Sequence, residues 1–260
     1  MQATPAALRL CGVSLVRAGT TLVDGVDLCL APGQRVGVVG PNGAGKTSLL
    51  ELISGSVKPT AGSIWLLGKR VDRWSVASRA RAGLGRSHQV AQLFDHLSVY
   101  ENLASSLYRI CLNRYQFVIK QDASQALHQR TLAWLERLGL TDWAPQPAAA
   151  LGYAQRRLLE LGMALATEAQ VLLLDEPTAG LSLPEAQQLA AQMRQWLHGR
   201  TVLVVEHDLA VLRQLCDHLV LLVEGRIRCQ GPTQAVLSSP EWLTVSGVAS
   251  DPASAKVPAC

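Results

Sequence analysis

The stretch GPNGAGKT at residues 40–47, entered from RVGVV at 35–39 and followed by SLLELIS at 48–54, decides the fold. The entering run is short, apolar and rich in valine, which reads as a buried strand. The run from Lys46 to Ser54 reads as a helix that Gly55 closes. Between them, glycines at 40, 43 and 45 allow positive φ and let the backbone approach an anion, so consecutive N–H groups at a helix N-terminus can surround phosphate oxygens. Lys46 adds a point charge for the β and γ oxygens, and the Thr47 hydroxyl is placed to ligate Mg²⁺. Gly40, Pro41, Asn42, Gly43, Ala44, Gly45, Lys46, Thr47 and Ser48 are therefore the expected nucleotide-binding segment. A glycine-rich turn matching by chance would not also carry the strand and the helix on its two sides.

Far downstream, VLLLDEP at residues 171–177 sets two carboxylates at the end of an apolar strand, and so at the carboxyl edge of a parallel sheet beside the phosphate loop. Asp175 is expected to hold Mg²⁺ through water and Glu176 to orient or deprotonate an attacking water. A dry strand rarely ends in paired carboxylates without a counter-ion, which argues against a plain strand cap. His207 follows a second apolar strand, TVLVVE, between Glu206 and Asp208, where it can hydrogen-bond a γ-phosphate. Gln89, within GRSHQVAQLFDHLSVYEN, stands at the border of the first β part and the following helical region; its amide can sense metal and water while a loop carries the motion outward. These motifs together describe a chain that hydrolyses ATP with Mg²⁺. Lys46, Gln89, Glu176 and His207 are the catalytic candidates, and Thr47, Gln89 and Asp175 the metal candidates.

Length and composition bound the remainder. A chain of 260 residues with 48% hydrophobic and 17% charged residues buries a full core as one large domain or two small ones, which excludes a disordered chain. Six cysteines are scattered without a CxxC pair; free thiols are expected and no zinc site is readable. The opening MQATPAALRL lacks a basic flank and long apolar core, and no stretch approaches 18 uninterrupted apolar residues, so neither a signal peptide nor a membrane span is expected. The formal net charge is +4, and Lys69, Arg70, Arg73, Arg79, Arg81 and Arg86 lie among polar neighbours. They read as a solvated face rather than a nucleic-acid groove.

The pattern alternates over residues 8–30, as in half-buried strands, before Pro32-Gly33 marks a turn; this predicts an antiparallel β layer, continued by a strand at 63–67. From about 92 to 166 the signal becomes helical, with Leu127, Thr131, Trp134, Leu135 and Leu138 at helical spacing before Gly139, and Pro145 and Pro147 in a loop. Strands return at 171–174, 201–205 and 219–223, with a helix at 184–197, which is βαβ logic. The fold class is thus α/β: a P-loop core plus β layer (about 1–91 and 167–245), a helical insertion (about 92–166), and an expected disordered tail at 246–260, within the closing stretch VSGVASDPASAKVPAC.

Over residues 8–237, and in the same order, the chain resembles the ATP-binding subunits of ABC transporters. GPNGAGKT matches Walker A, Gln89 the Q-loop, LGYAQRRLLELGMALA the signature segment, VLLLDE Walker B, AGLS the D-loop and EHD the switch. GLGRSHQ with LFDHLSVYENL, and VVEHDLAVLRQLCDHLVLLVEGRI, look most like subunits serving uptake of branched-chain amino acids and urea. Lipopolysaccharide-export ATPases share the LSVYENL-like phrase, and a weakly hydrolysing regulatory ATP clamp is a further alternative. The resemblance implies two cassettes, identical or paralogous, that sandwich ATP, transmembrane permease subunits, an indirectly coupled solute-binding protein, a peripheral place on the cytoplasmic face of the inner membrane, and no nucleic acid.

Three departures stand out. Where the family has LSGGQ, this chain has Gly152, Tyr153, Ala154 and Gln155, implied to face a partner's phosphate; the missing serine hydroxyl removes about 1.5–3 kcal/mol from a closed dimer. Such a chain suits a heterodimer whose other subunit carries a fuller signature. No aromatic residue precedes Trp65, and Arg17 falls near the family's adenine-stacking position, either stacking on the base or simply solvated. Ser182 replaces the usual aspartate of the D-loop.

Overall fold

The computed structural model describes residues 6–87, 93–111 and 120–246. β1 (Leu8–Arg17), β2 (Thr20–Leu30), β4 (Ala61–Leu66) and β5 (Lys69–Arg70) form an antiparallel sheet in the order β2-β1-β4-β5. A six-stranded sheet follows the order β10-β9-β3-β8-β7-β6, from β3 (Arg35–Val39), β6 (Leu84–Arg86), β7 (Val171–Asp175), β8 (Thr201–Val205), β9 (His218–Val223) and β10 (Arg226–Pro232). All its neighbours are parallel except β10, which returns antiparallel to β9.

The central strands are apolar at nearly every position because both faces are covered. Val171, Leu173, Leu203, Val205, Val220 and Leu222 point into a core shared with the antiparallel sheet and helix α1 (Lys46–Ser54). Leu172, Leu174, Val202, Val204, Leu219 and Leu221 enter a second core with α5 (Tyr153–Ala166), α6 (Leu183–Trp196) and α7 (Leu209–Leu215). α3 (Val99–Cys111) and α4 (Lys120–Leu138) extend that core; Val99, Leu103 and Leu107 recur every fourth residue along the buried side of α3.

The expected layers are present, with local differences. The strand expected at 63–67 runs over Ala61–Leu66, because Leu67 (φ 48°) and Gly68 (φ 78°) form a left-handed two-residue turn into β5. β6 and β10 have no sequence signal of their own: β6 has three residues, and β10 alternates only between exposed and half-buried positions. Of the tail expected at 246–260, Ser246 is instead the last residue of α9 (Pro240–Ser246), and the remainder lies outside the described residues.

The solvated basic face holds for Lys69, Arg70, Arg73 and Arg81, but not for Arg79 or Arg86. Arg79, in α2 (Val76–Arg81), is 0% exposed. Its guanidinium donates to the carbonyls of Leu52 (2.6 Å) and Ile53 (2.7 Å) and, at 3.3 Å, to that of Asp72. These first two carbonyls lie in the last turn of α1, where a cation also meets the negative end of the helix dipole. Burial holds the Arg79 pKa below its usual value, with Asp72 opposing.

Candidate functional site

The carboxyl ends of β3, β8 and β7, three neighbouring parallel strands, carry the phosphate loop, Glu206-His207 and Asp175-Glu176 along one sheet edge. The loop fits a tight socket. A Cβ on Gly40 (φ 152°) would stand 2.0 Å from the Leu222 carbonyl oxygen, and one on Gly45 (φ 99°) 2.3 Å from that of Leu22. The turn between β9 and β10 braces the loop from outside, since Gly225 N–H donates to the Ala44 carbonyl at 2.9 Å. Asp24 N–H donates to the Gly225 carbonyl, and the Asp24 carboxylate pairs with Arg226 at 2.6 Å.

α1 begins directly after the loop with no acidic residue in its first turn, leaving its positive end for an anion. Pro41, Asn42, Gly43 and Thr47 are exposed, Gly40, Gly45 and Ser48 half-buried, and Ala44 buried. Lys46 is buried, and its Nζ donates to the carbonyls of Gly40 (2.7 Å) and Pro41 (2.9 Å). Burial lowers its pKa, while Glu176 and then Asp175 act in the opposite direction. The lysine and both carboxylates therefore share one electrostatic site.

Asp175 is buried at the end of β7, with its backbone N–H donating to Ser87 Oγ at 3.3 Å. Arg86 reaches its carboxylate at 3.5 Å while donating to Ser54 Oγ at 2.8 Å, so it joins the end of α1 to the end of β7. Glu176 has φ 45°, a left-handed conformation that costs a non-glycine residue about 1 kcal/mol or more. The residue before a proline also disfavours helical backbone, so Glu176 opposes two local preferences at once. Its N–H donates to the Val205 carbonyl at 2.8 Å, and its Oε1 lies 2.9 Å from His207 Nε2. The carboxylate accepts, so the Nε2–H donates and the imidazole is held by the carboxylate.

Glu206 is buried behind this pair and accepts from the N–H groups of His207 (3.2 Å) and Thr178 (3.3 Å). Burial, the largest influence, raises its pKa above 4.5. A carboxyl whose folded pKa is raised gives stability that is full below the unfolded value and lost as pH rises through the folded value. Glu206→Gln, which mimics the neutral form, is therefore expected to raise the Tm at pH 7–8 and to lose this advantage as pH falls towards about 4.5. Thermal melts of both proteins across pH check this; an advantage constant with pH would contradict it.

The remaining candidates are placed as follows. Gln89 lies outside the described residues. Arg17 is exposed at the end of β1, paired with Thr20 and two positions beyond Leu22 towards the hairpin tip. Gly152 caps α5 and donates its N–H to Gln155 Oε1 at 3.0 Å. Tyr153 is 60% exposed, yet its hydroxyl donates to the Ala179 carbonyl at 2.8 Å, and Gly180 lies under its ring. Ala154 and Gln155 are half-buried. Ser182 caps α6, donating from its N–H (2.9 Å) and hydroxyl (2.6 Å) to Glu185. Arg86 and Arg157 were not singled out by motif. Arg157 falls on the apolar stripe of α5 with Leu161 and Leu165, and an arginine on a core-facing stripe is the signal that identifies it.

A glycine-lined socket, a buried lysine, paired carboxylates and a histidine thus meet at one sheet edge, the arrangement of a P-loop fold. Residues 23–179 match the ABC transporter family, and the chain belongs to that family as an ATP-binding, ATP-hydrolysing subunit. It is 32% identical over 243 residues to the high-affinity branched-chain amino acid transport ATP-binding protein BraF of Pseudomonas aeruginosa, covering 91% of this chain and 95% of that one. Identity to the like-named protein LivG of Escherichia coli K12 is also 32%, covering 89% and 94%. Among solved structures, the ADP conformation of the cassette MJ1267 superposes with TM-score 0.79 at 26% identity, over 94% of this chain and 99% of that one.

Proposed function

We propose that this chain energises uptake of branched-chain amino acids or related small polar solutes such as urea. The pairing of Glu176 with His207 beside Lys46 carries the catalytic half of this reading, and the likeness to BraF and LivG over most of both chains carries the choice of cargo. Residues 1–245 act as one cassette, with residues 92–166 as its helical insertion.

In this reading the loop N–H groups and Lys46 hold the β- and γ-phosphates, and Lys46 exchanges its bonds to the Gly40 and Pro41 carbonyls for phosphate oxygens. Glu176 takes the proton of the attacking water, and His207 orients Glu176. Among the described residues no group of three or more His, Cys, Asp or Glu stands ready to enclose a metal. That suits Mg²⁺, which keeps waters and binds through one or two protein oxygens plus substrate phosphates; Thr47 and Asp175 would hold it, with Gln89 as a further ligand. Held there, the metal would supply positive charge to offset that of the phosphate oxygens. Arg17 lies on the hairpin whose Leu22 touches Gly45, the side from which the adenine would be met.

A second cassette, identical or paralogous, completes the site, with Gly152, Tyr153, Ala154 and Gln155 facing its nucleotide; the exposure of Tyr153 and Leu183 supports this face as a contact. Permease subunits supply the membrane path, a solute-binding protein delivers cargo, and the cassette sits peripherally on the cytoplasmic face of the membrane. Among the described residues no helix is long and apolar enough to cross a membrane. Reconstitution with its permease pair tests the reading: ATPase activity is expected to rise several-fold, about 1 kcal/mol in barrier, when a leucine- or urea-loaded receptor is added. Activity indifferent to permease and receptor would contradict it and favour the regulatory clamp.

A further inference from the structure

Glu176 holds its left-handed backbone among non-glycine neighbours, so something outside residues 175–177 must fix it. The Val205 carbonyl accepts the Glu176 N–H at 2.8 Å, and the carbonyl side of the turn is held by the guanidinium of Arg157, four residues after Tyr153 on α5 and only 4% exposed. Its Nε donates to the Pro177 carbonyl at 3.0 Å, and one terminal nitrogen donates to the carbonyls of Glu176 and, at 3.4 Å, Asp175. The other terminal nitrogen is anchored by Glu160 Oε2 at 2.9 Å, on the next turn of the same helix. One rigid planar fork thus engages three successive carbonyls, and a helix carboxylate fixes the fork. From the same helix, the Tyr153 hydroxyl holds the Ala179 carbonyl at 2.8 Å.

We infer that Arg157 is the positioning residue that locks Glu176 in its left-handed conformation and thereby aims its carboxylate at His207 and the attacking water. The inference rests on the proposed role of Glu176. Turning the peptide at 176 would swing the carboxylate away from His207 Nε2, whereas the phosphate loop, to which none of these Arg157 bonds runs, would still hold nucleotide. The expected signature is loss of turnover without loss of affinity.

Arg157→Lys keeps the charge but replaces the planar fork with one compact ammonium. In the purified full-length chain, kcat for ATP is expected to fall about tenfold or more, with KM and nucleotide Kd within about twofold, as misplacing a reacting group by a fraction of an ångström does. Glu160→Gln, which loosens the fork, is expected to lower kcat about threefold in the same pattern. Neither change is expected to add to the loss in a Glu176→Gln background. Turnover within about twofold of wild type in both variants, or a parallel loss of Kd and kcat, or additive losses in that background, would overturn the inference. If Arg157→Lys does not fold, Glu160→Gln decides alone. Full turnover in Glu176→Gln itself would instead remove the role of that carboxylate, and both readings with it.

Discussion

Glu176→Gln should reduce ATP hydrolysis by about 100- to 10,000-fold while leaving nucleotide binding near wild type. The amide keeps the shape of the side chain and can still accept from His207 Nε2–H, whose nitrogen lies 2.9 Å from Glu176 Oε1, so the surroundings need not move. It cannot take a proton from water. The effect therefore isolates proton transfer from binding, and single-turnover phosphate release measured beside an equilibrium binding isotherm separates the two. A variant retaining more than about one tenth of wild-type turnover would show that another group activates the water.

Lys46→Ala is expected to act on the other half of the cycle. Its ammonium is buried, holds the Gly40 and Pro41 carbonyls, and stands close enough to Glu176 and Asp175 for both to act on its pKa. Removing a charge-assisted partner of the phosphates costs about 1.5–3 kcal/mol, or about 10- to 100-fold in Kd. Gly40 is half-buried and Pro41 exposed, so water can reach the two carbonyls it leaves, and the fold is expected to survive. Titration with a fluorescent ATP analogue checks the loss, and a Kd within about twofold of wild type would contradict it.

The glycine loop and its flanking strand and helix were the most legible in sequence, because their physics is local. A strand, a glycine loop and a helix closed by Gly55 occur as one run, and α1 spans Lys46–Ser54 with Gly55 in the left-handed cap. The apolar strands at β7, β8 and β9 were readable because runs of five or six residues rich in Val and Leu are too short for a helix and suit a strand covered on both faces. β6 and β10 were not, since three residues, or a partly exposed edge, carry no periodic signal. Nor could spacing show that Arg79 leaves the basic run of 69–86 to cap α1, or that Arg157 grips the backbone at 175–177. Both depend on carbonyls distant in sequence, and carbonyls are the same in every residue. Ser182 was noted for the aspartate it replaces, whereas the structure shows it closing a capping box with Glu185.

The proposed function requires a triphosphate held by the loop at residues 40–47 and attacked by water that Glu176 activates. Its most direct test is one measurement on three proteins: ATP retained and phosphate released, with Mg²⁺ present, by wild type, Lys46→Ala and Glu176→Gln. Retention with release in the first, neither in the second, and retention without release in the third is the result expected. Equal retention by wild type and Lys46→Ala, or equal release by wild type and Glu176→Gln, would contradict it.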